Sequence, residues 1–171
     1  MERHILTGSE ESKIFIHVLA VLIMQVQDIM TKKVLTVRPE TTVREVAEIL
    51  VNHKISGVPV VEEDGRLVGI VSEGDLMSKE ILPEPPAEFC ILGAVIYYNG
   101  LREYKDAFDR MAANTAEALM TKKVITVKAY DDISDVARIM RDKHIKRVPV
   151  LDDEGHLIGI VSRQDIVKML L

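Results

Sequence analysis

Two short polar motifs, each a serine followed three residues later by an aspartate, are the strongest candidates for chemistry in this sequence. They are Ser72–Asp75 and Ser162–Asp165, and each comes directly after an apolar run. A serine and an acidic side chain at this spacing can cap a helix, whose free N-terminal amides attract anions. An aspartate carboxylate can also accept hydrogen bonds from two adjacent hydroxyl groups. The motifs are therefore either helix caps alone or part of a site for a sugar and a phosphate.

A hydroxyl and an apolar dipeptide precede each motif. The hydroxyls are Thr36 and Thr126, and the dipeptides are Val58-Pro59 and Val148-Pro149. An apolar wall, a carboxylate and a helix N-terminus together suit a purine, a ribose and a phosphate. Each residue also has a purely structural explanation, because a threonine suits an edge strand and a proline can end a strand ladder.

The sequence holds few groups suited to catalysis or to metal binding. The histidines are not spaced as metal-ligand pairs, and a single cysteine cannot build a zinc cluster. These histidines are His4, His17, His53, His144 and His156. Gly69–Ser72 is not the Gly-x-Ser-x-Gly turn of hydrolases. We therefore expect no catalytic residue, no metal site and no required cofactor, and the chain is predicted not to be an enzyme.

Cys90 is the only cysteine, so the chain cannot form an internal disulfide. Its neighbours Phe89 and Ile91 are apolar, which predicts a buried and unreactive thiol. Proteins without disulfides are typical of reducing compartments. The expected location is the cytoplasm.

The composition is that of a soluble globular protein, with 47% apolar and 29% charged residues in a chain of 171. The net charge of −5 argues against a broad nucleic-acid-binding or anionic-membrane surface, so we expect no nucleic-acid partner. The apolar run Ile14–Met24 is shorter than the about 20 residues that a membrane-spanning helix needs. It is predicted to be a packed helix or an interface segment.

The chain carries one unit twice, because Met30–Lys79 returns ninety residues later as Met120–Met169. In each copy two apolar runs flank a turn that contains glycine, which predicts a β-hairpin, and the Ser-x-x-Asp motif and a helix follow. An extended segment and a further helix precede the hairpin, and Thr42–Glu45 is a capping box for that helix in the first copy. Its predicted apolar stripe comprises Val43, Val46, Ala47, Leu50 and Val51. Since a unit of about 50 residues buries too little surface alone, the copies are expected to pack against each other.

The segment Ala87–Asn114 matches neither copy. Phe89–Tyr98 is apolar, and Leu101–Met111 has an apolar helical face. Because a flexible linker would be less apolar, we expect this insertion to pack on the repeats or in a homodimer. Met24–Met30 resembles a complete start to the first repeat, which leaves open a translation start at Met24.

Both copies resemble CBS domains, and the pair is similar to a tandem CBS module, also called a Bateman module. The resemblance rests on MTKKVLTV and MTKKVITV, which open the copies, and on GVPVVEEDGRLVGIVSEGD and RVPVLDDEGHLIGIVSRQD, which close them. It implies an α+β fold of two β-α-β-β-α repeats packed about a pseudo-twofold axis, with a helical insertion between them. The expected division is an N-terminal extension at 1–25, repeat 1 at 26–82, the insertion at 83–115 and repeat 2 at 116–171.

The resemblance also implies a binding site for an adenosine-containing ligand. By the family pattern the aspartates bind the ribose hydroxyls, the serines the ribose or phosphate, the threonines the base or sugar, and the Val-Pro residues the adenine face. The implied ligand-binding residues are Thr36, Val58, Pro59, Ser72, Asp75, Thr126, Lys146, Arg147, Val148, Pro149, Ser162, Arg163 and Asp165. Lys146-Arg147 lies where many nucleotide-binding members have a basic pair, whereas the first copy has Ser56-Gly57. Two equivalent phosphate sites are therefore not expected; the alternative for this pair is an ordinary surface charge.

The resulting prediction is a regulatory module that binds AMP, ADP, ATP or S-adenosylmethionine and passes its occupancy to another protein. Two alternatives stay open at this point. One is a protein-interaction module whose clefts are empty and whose insertion is the binding surface. The other is a regulatory subunit of a separately encoded enzyme or transporter.

Overall fold

The structure of the protein is a computed structural model that describes residues 24–92 and 94–169. The prediction for Ile14–Met24 lies, apart from Met24, outside these residues. The described chain alternates helices and strands in the mixed pattern that the sequence predicts. The helices are α1 (Val26–Ile29), α2 (Val43–His53), α3 (Glu73–Lys79), α4 (Leu101–Ala112), α5 (Ala116–Leu119), α6 (Ile133–Asp142) and α7 (Arg163–Lys168). The strands are β1 (Gly57–Val61), β2 (Leu67–Ser72), β3 (Ala87–Ile91), β4 (Ala94–Asn99), β5 (Val127–Lys128), β6 (Arg147–Leu151) and β7 (Leu157–Ser162).

The chain divides into two compact units. The central unit is Leu35–Val124, and the described residues of the terminal unit lie within Met1–Val34 and Ile125–Leu171. Each unit contains the helix, hairpin and short helix of one repeat, together with the opening segment of the other repeat. The two compact units therefore do not coincide with the two sequence repeats.

In the central unit, β1 and β2 form the predicted antiparallel hairpin. Gly65 in its turn has a φ of 87°, a conformation that glycine adopts without steric cost. The predicted first strand is reduced here to a single parallel bridge between Val37 and Val60. Pro39 follows it and has no N–H to extend the ladder, which explains why the strand is so short.

The core of the central unit lies between this hairpin and α2. Helix α2 begins at the predicted capping box, in which Glu45 N donates to Thr42 Oγ1 at 3.2 Å and Thr42 N donates to Glu45 Oε2 at 2.9 Å. Of the predicted apolar stripe, Val46 and Leu50 are buried, whereas Val51 is 75% exposed because it lies at the edge of the stripe. The buried cluster is Val37, Val46, Leu50, Val58, Val60, Val71, Ala113, Ala116 and Leu119.

The terminal unit repeats this arrangement with a three-stranded sheet in the order β5-β6-β7. Strand β5 pairs parallel to β6, and β6 pairs antiparallel to β7. The core again consists mostly of β-branched side chains, which suit a pleated, half-buried surface. It comprises Val26, Val127, Ile133, Val136, Met140, Val148, Val150 and Val161.

The opening segment of each repeat packs on the hairpin of the other repeat. In the central unit Thr121 exchanges backbone hydrogen bonds with Ile70, and in the terminal unit Thr31 does so with Ile160. The approach is close because the facing strand has a glycine. A Cβ on Gly69 would lie 2.3 Å from Met120 Sδ, and a Cβ on Gly159 would lie 2.5 Å from Met30 Sδ. Each glycine therefore leaves the space that a methionine side chain occupies, which the sequence alone does not reveal.

The insertion contains the predicted helix and also a hairpin. Strands β3 and β4 pair antiparallel with each other, and α4 follows and packs on α3. The expectation of a buried thiol is wrong, because Cys90 is exposed on β3. Several apolar side chains of the insertion are also about half exposed, among them Val95, Leu101 and Phe108. Within residues 24–92 and 94–169, none of the helices has the length and apolar character needed to cross a membrane.

Candidate functional site

The first Ser-x-x-Asp motif forms a fixed carboxylate at the start of α3. Both Ser72 N and Ser72 Oγ donate to Asp75 Oδ2, at 2.8 and 2.7 Å. Asp75 is only 9% exposed, and among the described residues it is the one charged residue that is buried. Its other oxygen, Oδ1, has a cation 3.8 Å away, Nη1 of Arg110. One oxygen is therefore used to cap the helix, and the other lies at an ion-pair distance beyond that of a hydrogen bond.

The second motif has the same geometry in the terminal unit. Ser162 N and Oγ donate to Asp165 Oδ2 at 2.8 and 2.6 Å, and Asp165 N donates back to Ser162 Oγ at 3.4 Å. Asp165 Oδ1 has Lys168 Nζ at 3.6 Å. The cap that the sequence predicts is therefore present in both copies. In the contacts described above, the Oδ1 oxygen of each aspartate has a cation nearby but accepts no hydrogen bond from a neutral donor.

The hairpin register places the residues before each Val-Pro beside the motif. In the terminal unit Arg147 is the cross-strand partner of Ser162, and Arg163 N donates to Lys146 O at 2.9 Å. In the central unit the same positions are occupied by Gly57 opposite Ser72 and by Ser56, whose carbonyl accepts from Glu73 N. The predicted basic pair is thus next to the start of α7, while the start of α3 has no such pair. This register brings the phosphate-site candidates together in one unit only.

Arg163, one of the predicted ligand-binding residues, uses its guanidinium to hold the backbone nearby. Its Nε donates to Ile145 O at 2.9 Å, and its Nη2 donates to Met140 O at 3.3 Å. These carbonyls lie at the end of α6 and in the loop that follows it, where a cation satisfies otherwise unpaired helix carbonyls. The contacts support a structural role for Arg163 in addition to the predicted one.

The predicted apolar walls lie behind the motifs. Val58 and Val148 are fully buried in the cores of their units, and Pro59 and Pro149 are buried as well. Pro59 O accepts from Val37 N at 3.0 Å, which fixes the segment that carries Thr36 next to β1.

The two threonines differ in exposure. Thr36 is exposed and lines a cavity of about 470 Å³ together with residues of α2, among them Glu45 and His53. The lining of this cavity includes none of the other predicted site residues of the central unit. Thr126 is half-buried just before β5.

Arg110 and Lys168 were not among the predicted site residues. Lys168 lies one turn after Asp165 on the same helix, so its spacing could have indicated the ion pair from the sequence. Arg110 is 35 positions after Asp75 and belongs to the insertion, and only the packing of α4 on α3 brings the two together. The absence of a basic pair at Ser56-Gly57 was the one sequence signal that a cation could come from elsewhere.

Three potential metal ligands lie together in the turn between β6 and β7. The ligand atoms of Asp152, Glu154 and His156 are within 4.8 Å of one another. Asp152 Oδ1 accepts from Glu154 N and His156 N, while Oδ2 lies 3.1 Å from His156 Nδ1. Partial desolvation raises the pKa of Asp152, but the hydrogen bonds from His156 outweigh it and lower that pKa below its ordinary value. The cluster is therefore accounted for as a hydrogen-bonded turn.

The repeats and their motifs correspond to a known family. A family model described as CBS domain matches residues 26–81 and 116–171. The chain belongs to the CBS domain family. Its two matched copies make it a tandem CBS pair, as the opening and closing motifs predicted.

Other proteins resemble this chain over most of its length. Uncharacterized protein MJ1426 of Methanocaldococcus jannaschii is 37% identical over 160 residues, which are 87% of this chain and 92% of the relative. The crystal structure of CBSX2 in complex with AMP has a TM-score of 0.72 and 28% identity, and the match covers 85% of this chain and 95% of that one. The CBS domain pair of MJ0100, solved in complex with 5′-methylthioadenosine and S-adenosyl-L-methionine, has a TM-score of 0.64 and 30% identity, with 86% and 96% covered.

Proposed function

We propose that this CBS pair is a regulatory module that binds an adenosine-containing ligand and signals its presence to another protein. The observation that carries the proposal is the aspartate at the start of α3 and again of α7. In both, Oδ2 is fixed by a serine, while the partner of Oδ1 among the described residues is a cation at 3.6 or 3.8 Å. A fixed carboxylate with one available oxygen is suited to accept hydrogen bonds from ribose hydroxyls. The solved relatives that contain AMP, or methylthioadenosine and S-adenosylmethionine, support the choice of an adenosyl compound.

The residue roles in this proposal are those of the family pattern. Asp75 and Asp165 are the proposed ribose acceptors, and Ser72 and Ser162 fix them and offer a hydroxyl to the ribose or phosphate. The remaining proposed contacts are Thr36 and Thr126 to the base or sugar, and Lys146, Arg147 and Arg163 to a phosphate. The buried residues Val58, Pro59, Val148 and Pro149 form the proposed apolar wall behind the adenine. Since Lys146 and Arg147 lie beside the second motif only, the terminal unit is the proposed site for a phosphorylated ligand.

The insertion suggests how the module meets another protein. An isolated two-stranded hairpin is at best marginally stable in water, and β3 and β4 form such a pair. Exposed apolar side chains lie on this hairpin and on α4, with Val95 49%, Tyr97 50% and Leu101 55% exposed. A second copy of the chain that packs on this surface would cover them, so we propose a homodimer. The cytoplasm is the proposed location, and regulation of a separately encoded protein, rather than catalysis, is the proposed activity.

A pure interaction module is the second candidate, because the exposed apolar insertion is present whether or not the sites are occupied. The two candidates differ in their response to ligand. A panel of adenosine, AMP, ADP, ATP and S-adenosylmethionine in a thermal-denaturation assay distinguishes them. A ligand at a hundredfold excess over its dissociation constant adds about 2.7 kcal/mol to the free energy of unfolding, which should raise the melting temperature by roughly 5–10 °C.

The Asp165→Asn variant tests the site itself. The asparagine oxygen can still accept from Ser162, but its NH2 group replaces Oδ1 and cannot accept from a ribose hydroxyl. We expect the shift from binding in the terminal unit to be lost. Asp135→Asn is a matched control, because Asp135 also lies in the first turn of a helix and pairs with a cation three residues later, Arg138 at 3.1 Å. A wild-type protein that responds to none of the five compounds refutes the proposal and favours the interaction module.

A further inference from the structure

The two ribose-acceptor carboxylates receive their cations from different parts of the chain. Asp165 is paired with Lys168, three residues later on α7. The equivalent position on α3, ninety residues earlier, is Ser78, whose hydroxyl donates to Gly74 O at 2.8 Å. The cation near Asp75 is instead Arg110, at the end of the insertion helix α4. The first-repeat site therefore includes a charged group from outside the repeat.

The position of Arg110 is determined by the contact between α4 and α3. Next to it, Met111 O accepts a 2.6 Å hydrogen bond from Lys79 Nζ, at the end of α3. Two residues further along the chain Ala113, only 3% exposed, belongs to the core of the central unit. The guanidinium is thus attached to backbone that is held at two neighbouring points. This backbone anchoring places the half-exposed Arg110 side chain, 48% exposed, within reach of Asp75.

The gap between the two charged groups fits one hydroxyl. Arg110 Nη1 and Asp75 Oδ1 are 3.8 Å apart, which is too long for a hydrogen bond between them. An oxygen at an ordinary distance of about 2.8 Å from each would fit between them. A hydroxyl there would donate to the carboxylate and accept from the guanidinium, so both of its polar functions would be charge-assisted.

We propose that Arg110 is a ligand-binding residue of the first-repeat site, where its guanidinium and the Asp75 carboxylate hold one ribose hydroxyl between them. The proposal rests on the adenosine-binding function proposed above. It makes α4 a direct contact of the ligand, so binding strengthens the docking of the insertion on α3. By linkage, docking of the insertion on α3 strengthens ligand binding at this site by the same factor by which ligand binding strengthens the docking.

The charges beside Arg110 bear on the class of ligand. Arg110 also lines a neighbouring cavity of about 750 Å³, whose lining does not include Asp75 and whose other charged lining residues are Glu84, Glu103 and Asp106. One cation and three carboxylates disfavour a polyphosphate, which needs several cations to offset its charge. The first-repeat site is therefore expected to prefer adenosine, or an adenosyl compound without a polyphosphate, over ATP.

Calorimetric titration of adenosine into the Asp165→Asn protein measures the first-repeat site alone. Adding Arg110→Gln to this protein should weaken the binding of adenosine and of AMP equally, by about tenfold or more, because the lost contact is to the ribose. Arg102→Gln, an exposed arginine on the same helix, should leave the affinity unchanged. Arg110→Lys retains a charged donor, so its loss should be smaller than that of Arg110→Gln.

A rescue variant separates binding from the coupling to the insertion. Ser78→Lys combined with Arg110→Gln places a cation where α7 has Lys168, and it should restore adenosine binding. Hydrogen exchange should show that adenosine protects the amides of α4 in the Asp165→Asn protein but not in this rescued protein. Hydrogen exchange without ligand also shows whether α4 remains docked in each variant. If Arg110→Gln undocks α4, the rescued protein decides, because it carries the same substitution: restored adenosine binding assigns the loss to the missing cation, and unrestored binding assigns it to the undocked helix and overturns the inference.

Three outcomes overturn the inference. They are an unchanged adenosine affinity in Arg110→Gln, a loss for AMP but not for adenosine, and an Asp165→Asn protein that binds no adenosine although the wild type does. In each of these cases the proposed regulatory function stands, because the wild-type protein still binds an adenosyl compound. The proposed function itself fails only if the wild-type protein binds no adenosyl compound.

Discussion

Replacing Gly69 with alanine should destabilise the protein through one contact with Met120. The new Cβ would lie 2.3 Å from the sulfur, 2.6 Å from Cγ and 3.0 Å from Cβ of Met120. Carbon atoms in contact are normally about 3.5–4.0 Å apart, so Met120 must move by more than about 1 Å. Rotation of the flexible thioether cannot supply all of this movement, because Cβ of Met120 is itself too close.

The backbone beside this contact limits the adjustment further. Thr121, which follows Met120, exchanges two hydrogen bonds with Ile70, which follows Gly69. Moving the methionine backbone would break them. Inserting a methyl group into a packed site of this kind costs about 1–3 kcal/mol of unfolding free energy. For a chain of this size a loss of about 2 kcal/mol should lower the melting temperature by roughly 4–8 °C.

Guanidinium chloride denaturation of Gly69→Ala, Met120→Ala and the double variant measures the contact directly. The double variant should lose less stability than the sum of the single variants, because the truncation removes the two closest contacts of the new methyl group, with Sδ at 2.3 Å and Cγ at 2.6 Å. Gly74→Ala is the control. It lies within α3, its Cβ would be 3.6 Å from Ser72 Oγ, and alanine favours a helix over glycine by up to about 1 kcal/mol. Additive losses, or a Gly69→Ala protein as stable as the wild type, would refute the packing argument.

Two further predictions concern the proposed function. Arg147→Ala should weaken the binding of AMP by about tenfold or more and leave the binding of adenosine nearly unaffected, since a charge-assisted contact to a phosphate is lost. Calorimetry that finds equal losses of affinity for both ligands would assign Arg147 to the fold instead. Light scattering at micromolar concentration should find a homodimer, and Leu101→Glu should shift it towards monomer because a carboxylate would have to be buried in the interface. A monomeric wild-type protein would contradict the proposed dimer.

Much of the local structure could be predicted from the sequence because it depends on neighbouring residues. The two hairpins follow from apolar runs that flank a glycine turn, and both turn glycines have the positive φ that this requires, 87° at Gly65 and 91° at Gly155. The helix caps at Thr42, Ser72 and Ser162 follow from a serine or threonine with an acid three residues later. The same capping pattern, found twice, also marked the aspartates of the candidate site.

The errors and omissions concern residues whose surroundings are distant in the chain. The apolar neighbours of Cys90 suggested burial, yet its hairpin has no partner sheet in the described structure and the thiol is exposed. The apolar face predicted for the insertion helix is real, but Leu101 and Phe108 remain about half exposed in one copy of the chain. The pair of Arg110 and Asp75 could not be predicted, because nothing in either local sequence sets the position of α4 against α3.

The sequence alone determined that two equivalent repeats exist and what each hairpin and helix looks like. It did not determine which opening segment packs on which hairpin, since both segments begin with the same Met-Thr-Lys-Lys and both hairpins offer a glycine to the methionine. The tertiary structure decides this by exchange, with Met120 on Gly69 and Met30 on Gly159. The physical reason is that either opening segment could make nearly the same contacts with either hairpin. Only the path of the whole chain can therefore select one arrangement.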